Sequence, residues 1–172
     1  MSDIPNLIER NREFAERFTY GELPMRPRLS TFVLACLDAR VDPGRILGLE
    51  VGDAVVMRNA GGRVNPVVLR DMAVLGFLAS TVPGGTAMTP EVMVIHHTNC
   101  GMSRLVDPEA QRVLAERMAV EPSDIAALAI PDPYESVRAD VQKLRDAPGV
   151  PDSLVVAGFV YDVTTGLISQ VN

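Results

Sequence analysis

The chain has no tryptophan, a single lysine, two cysteines and two histidines. Each scarcity excludes something. Two cysteines, Cys36 and Cys100, are too few for a disulfide scaffold, and in a reducing compartment they are free thiols or metal ligands. With a net charge of -6 and no basic run, the sequence lacks the clustered Lys and Arg that phosphate binding needs, so no nucleic-acid partner is expected. No apolar stretch is long enough to span a bilayer. The opening "MSDIPNLIER" has no basic region leading into an apolar core, so neither a membrane association nor a secretory signal is expected, and the cytoplasm is the expected location. Internal repeats and low-complexity tracts are also missing.

What is present suits an ordinary globular chain: 172 residues, 47% hydrophobic and 22% charged, enough for one domain with a sizeable core. "IPNLIERNREFAERF" carries Ile4, Leu7, Ile8, Phe14 and Phe18 near helical spacing, which predicts an amphipathic N-terminal arm over about 1–20, capped by Asp3 with Pro5 in its first turn. "TFVLACL", "DAVVMRNAG", "PEVMVIHH" and "SLVVAGFVYD" read as strands, and "LISQV" as a short final one. "NPVVLRDMAVLGFLAST" reads as a buried helix. "DPGRILGL", "DPEAQRVLAERMA" and "DPYESVRADVQKLRDA" open with Asp-Pro, as helices often do. "TVPGGTAMTP" is a loop inside the domain. The fold class predicted is α/β, a single domain over 1–172 with a mostly parallel sheet flanked by helices.

Chemistry gathers in three places. "CLDAR" sets Cys36, Asp38 and Arg40 at every second position after an apolar run, which on an extended chain puts all three on one side. "HHTNC" sets His97 three residues before Cys100, a spacing that lets both reach one ion. Both lie at strand carboxyl ends, where α/β sheets build their sites. Cys36, His97 and Cys100 together make three zinc ligands with one tetrahedral position free, as catalytic zinc requires. Asp38 then either serves bound water or displaces it, and a bidentate pair with Arg40 would keep it ionised and turned away from the metal. His96, next to a ligand on a strand, is expected on the opposite face as a hydrogen-bonded core or interface residue. Met57, Met72, Met88, Met93 and Met102 read as packing.

"CLDAR", "RNAG" and "HHTNCG", in that order and spacing, resemble the β-class carbonic anhydrases, with the direct likeness running from about residue 30 to 104. The resemblance implies a zinc lyase that hydrates CO2 reversibly to bicarbonate and a proton through zinc-bound hydroxide. Its metal ligands would be Cys36, His97 and Cys100, with Asp38 and Arg40 as the catalytic pair. Asn59, Ala60, Gly61 and Gly101 are expected to lie beside the substrate, because glycines let backbone approach closely. The family also implies a homodimer or higher homo-oligomer. The short chain resembles the compact branch, and the aromatic-lined entrance of the plant-like branch is not evident. Two other functions share the same residues: hydrolysis of carbonyl sulfide or carbon disulfide at the same zinc, and a non-enzymatic structural or redox-sensing zinc protein.

Overall fold

The apolar run after Ser30 contains no polar alternation, the pattern of a strand covered on both faces. In the computed structural model, which describes residues 2–81, 91–151 and 153–172, it forms β1 (Thr31–Cys36), buried from Phe32 onward. Four more strands join it: β2 (Val55–Asn59), β3 (Glu91–His97), β4 (Val155–Tyr161) and β5 (Ile168–Val171). Their order in the sheet is β2-β1-β3-β4-β5. The first four run parallel and β5 pairs antiparallel with β4. The chain leaves β1 in one direction for β2 and returns across it to β3, so β1 and β3 flank the topological switch point where α/β sheets open a crevice.

Six α-helices occur among the described residues: α1 (Ile4–Glu16), α2 (Pro43–Ile46), α3 (Pro66–Thr81), α4 (Pro108–Met118), α5 (Pro122–Ala126) and α6 (Pro133–Arg145). The Asp-Pro openings work as expected. Asp42, Asp107 and Asp132 each accept a hydrogen bond from a backbone amide of the first turn of α2, α4 and α6, which satisfies one of the orphan donors of a helix start. One face of the sheet, with Phe32, Leu34, Val92, Val94, Val156 and Val160, is packed by Val68 of α3 and by Val137, Val141 and Leu144 of α6. On the other face, Val33, Ala35 and Ile95 meet Val41 and residues of and around α2.

Three expectations need correction. Asp3 does not cap α1: its backbone is already helical (φ -84°, ψ -9°) and its side chain makes no capping bond. Helix α3 is not buried. Val68 alone is fully buried and Leu69 and Met72 are partly buried against the core, while every residue from Ala73 to Thr81 is exposed, Val74, Phe77 and Leu78 among them, because only the first turns of this helix lie on the sheet. The alternation in "CLDAR" is not carried by a strand either. β1 ends at Cys36, and a turn closed by the Val41 amide on the Asp38 carbonyl follows. The short α5 and a 3-10 turn over Gly101–Val106 were not visible in the apolar periodicity. Of the expected loop "TVPGGTAMTP", residues 82–90 lie outside the described residues, as does Met88. Met57 and Met72 pack on one face of the sheet and Met93 on the other, and Met102 lies against the two cysteines.

At the switch point the β1 and β3 backbones are approached by a glycine. Gly62 has φ +67°, and a Cβ there would stand 2.9 Å from the Ile95 carbonyl oxygen and 3.1 Å from both the Ala35 carbonyl carbon and the Cys36 nitrogen. Backbone cannot yield as a flexible side chain can. Gly62→Ala is therefore expected to lower stability by about 2 kcal/mol or more, read by urea denaturation. Gly101→Ala, where a Cβ meets nothing within 4 Å, is expected to change it by less than about 0.5 kcal/mol.

Candidate metal centre

The parallel pairing of β1 with β3 aligns Ala35 with Ile95, so Cys36 and His97 leave neighbouring strand ends despite their distance in sequence. Beyond His97 the backbone turns sharply. Asn99 takes the left-handed conformation (φ +53°), which asparagine tolerates better than most residues, and Cys100 returns to the same place. One ligand atom from each of Cys36, His97 and Cys100 then lies within 4.8 Å of the others, and all three residues are buried.

The ring of His97 is oriented for coordination. Its Nδ1 lies 2.9 Å from the Thr98 carbonyl oxygen, so Nδ1 carries the hydrogen and Nε2 keeps its lone pair. Nε2 is buried without a hydrogen-bond partner. A buried acceptor is normally satisfied, and two thiols beside an unsatisfied imidazole nitrogen form the donor set that zinc takes. The neighbouring Cys100 thiol is the largest influence on Cys36 and pulls it well below the usual range, with the Asp38 amide adding to the effect. The proximity of Cys36, and then burial, push the Cys100 thiol up. A cation bound there would hold both as thiolates.

Asp38 stands beside this cluster without joining it. Arg40 donates to Asp38 Oδ1 from Nε at 2.9 Å and to Oδ2 from a terminal nitrogen at 2.6 Å, and its own amide donates to Oδ1 at 2.9 Å. These bonds, the side-chain ones first, hold the Asp38 carboxyl well below the usual carboxylate range. The same guanidinium reaches the Asn99 carbonyl at 3.1 Å and so ties the two halves of the site together. The Asp38 amide in turn points at the Cys36 sulfur, 3.4 Å away.

The remaining expected residues separate. Gly61 (φ +83°) is buried in the loop that follows β2. Asn59 is in the same loop, but both ends of its amide are used internally: Nδ2 donates to the Arg63 carbonyl and Oδ1 accepts from the Arg63 amide, each at 2.8 Å. Ala60 and Gly101 are exposed. His96 is buried on the opposite face from His97, beside Val92 and Val94 of the α6-covered side. Its Nε2 lies 3.2 Å from Asp140 Oδ2, out of line for a hydrogen bond, and neither ring nitrogen has a hydrogen-bond partner.

Three residues escaped the reading of the sequence. Arg58 donates to the carbonyls of Cys36 (2.9 Å) and Asp38 (2.7 Å) and so shapes the turn that carries Asp38. Arg63 and Asp140 form a buried pair. A signal for Asp140 existed: with Val137, Val141 and Leu144 it follows the i, i+3, i+4, i+7 spacing of an apolar helix face, where an acid is out of place unless paired.

Residues 31–168 match the carbonic anhydrase family model. Over 171 residues the chain is 33% identical to β-carbonic anhydrase 1 of Mycobacterium tuberculosis, covering 99% of each. It is 27% identical over 193 residues to a carbon disulfide hydrolase of Acidianus, covering 98% of this chain and 89% of that protein. The crystal structure of a carbonic anhydrase from Streptococcus mutans superposes with a TM-score of 0.82 at 34% identity, covering 100% of this chain and 99% of the other.

Zinc uptake tests the cluster directly. The protein is expected to take up one zinc per chain by elemental analysis, and Cys36→Ser, His97→Ala and Cys100→Ser are each expected to abolish it. Full occupancy in any of the three would remove that residue from the ligand set.

Proposed function

The chain belongs to the β-class carbonic anhydrase family, and on that premise we propose that it hydrates CO2 reversibly to bicarbonate and a proton, with zinc held by Cys36, His97 and Cys100. The observation that carries this reading is the convergence of two thiols and an unpartnered, correctly oriented imidazole nitrogen in one buried place. Zinc bound there would supply the Lewis acidity that lets a water lose its proton near neutral pH.

The protein's own groups do the rest. Asp38, kept ionised by Arg40, can only accept hydrogen bonds at neutral pH. It would hold the hydrogen of the reacting oxygen and leave a lone pair free for the carbon. Because both carboxylate oxygens are engaged by Arg40, Asp38 would be restrained from swinging onto a bound metal and displacing water there. Ile130 and Met102 lie against Cys36 and Cys100 and offer the apolar wall suited to CO2. Substrate would pass over Ala60 and Gly101, the exposed members of these loops.

The chain also fits a cytoplasmic homo-oligomer, with a dimer as the smallest form. Both cysteines are free, as a reducing compartment favours. No helix among the described residues is long and apolar enough to cross a membrane. Residues 2–19 are all exposed, including Ile4, Leu7, Ile8, Phe14 and Phe18 of the amphipathic arm. Val67, Val74, Phe77 and Leu78 of α3 are exposed as well. Contiguous apolar surface of this kind marks an interaction site, and a second copy presents the same surface.

Stopped-flow CO2 hydration on zinc-loaded protein is the primary test, run beside hydrolysis of carbonyl sulfide and carbon disulfide because relatives carry the latter name. CO2 hydration well above buffer is expected; activity confined to the sulfur substrates would reassign the enzyme, and none on any would end the enzymatic reading. Asp38→Ala is expected to retain zinc and lose roughly 10²–10⁴-fold in rate, the usual loss of a positioned proton-handling group. Arg40→Leu is expected to lower the rate by freeing Asp38 to reach the metal. In solution, light scattering is expected to give a mass of at least twice 18.6 kDa, and Phe77→Glu, at a side chain 68% exposed in the single chain, is expected to reduce it.

A further inference from the structure

One buried ion pair touches the supports of the metal centre on several sides. Arg63 ends the loop that begins at Asn59. Its Nε donates to Asp140 Oδ2 at 2.7 Å, and one terminal nitrogen lies 3.4 Å from Asp140 Oδ1. The other terminal nitrogen donates to the Ala129 carbonyl at 2.8 Å. Asp140, on α6, is fully buried. Burial alone would raise its carboxyl's pKa, but His96 and the Arg63 guanidinium reverse this and hold it below its ordinary value. Lys143, one turn further along α6, donates to the Val64 carbonyl at 3.1 Å.

Three of these contacts lead to a ligand. The loop end held by Arg63 is cross-bonded to Asn59 on both sides, and inside that closed loop sit Gly61 and Gly62, the second so close to β1 that a Cβ on it would stand 3.1 Å from the Cys36 nitrogen. Ala129 precedes Ile130, which lies against Cys36 and Cys100. The fit is close: a Cβ on Gly61 would stand 2.8 Å from Ile130 Cδ1 and 3.3 Å from Met102 Cγ. Asp140 also faces His96, the residue before His97. A single guanidinium therefore fixes the loop, the apolar wall and helix α6 relative to one another.

We infer that Arg63 and Asp140 are positioning residues of the metal centre, a pair that holds the Gly61–Gly62 loop and Ile130 against the cysteine ligands and thereby sets how tightly the site retains zinc. This rests on the reading of Cys36, His97 and Cys100 as zinc ligands. Removing one partner would strand a buried charge and confuse positioning with folding, whereas replacing both by apolar residues of similar volume is often neutral for stability.

The test is the double variant Arg63→Met with Asp140→Leu, compared with wild type by thermal melting, zinc retention against a competing chelator, and the thiolate-to-metal charge-transfer band of the cobalt-loaded protein. The double variant is expected to melt near wild type, to hold zinc about 10–100-fold more weakly, and to show an altered cobalt band. Zinc retention and a cobalt band both equal to wild type would overturn the inference. Should the double variant not fold, Arg63→Lys decides: it keeps the charge opposite Asp140 but cannot bridge to Ala129 as well. Weaker zinc in a folded Arg63→Lys protein supports positioning, and unchanged zinc refutes it. Wild-type protein that takes up no zinc would instead sink the ligand reading itself.

Discussion

The parallel ladder between β1 and β3 is the constraint on which the site depends. It makes neighbours of residues far apart in sequence, and it does so at the carboxyl ends, where the backbone is about to leave the sheet and can turn side chains toward each other. Gly62 holds that junction open to a loop by presenting no side chain to the strand backbones. Any shift of β1 against β3 would move Cys36 relative to His97 and Cys100 together. The convergence of the three donor side chains is thus a property of strand order first and of side chains second.

Two Asp–Arg pairs serve this junction in different ways. Asp38 and Arg40 are close in sequence and partly open to water, with the Arg40 side chain 47% exposed, so their contact is local and electrostatically screened. Its value is geometric, since it fixes the direction in which a carboxylate faces. Arg63 and Asp140 come from a loop and a helix far apart in sequence, and the carboxylate is wholly buried. There the low-dielectric surroundings make an unpaired partner costly, by about 3–5 kcal/mol. One pair shapes the open side of the centre, the other its interior side.

Much of this was legible in the sequence, for identifiable reasons. Continuous apolar runs gave β1 and β3, Asp-Pro marked the starts of α2, α4 and α6, and the rarity of Cys and His made their clustering conspicuous. The strand alternation put His96 on the face opposite His97. The failures also have causes. Period-two spacing in "CLDAR" could not reveal that the strand stops at Cys36, because a turn can bring i and i+2 together as readily as a strand can. The apolar content of α3 was read as burial, yet apolar content says only that a surface avoids water, not which chain covers it. Arg63 and Asp140 carry no motif, since their partnership exists only after α6 lies across the sheet.

The exposed apolar faces of α1 and α3 have a thermodynamic consequence. Whatever covers them engages the folded chain and not the unfolded one, so its binding free energy adds to stability by mass action. If the cover is another copy of the chain, resistance to unfolding rises with the protein's own concentration, and dilution alone weakens it.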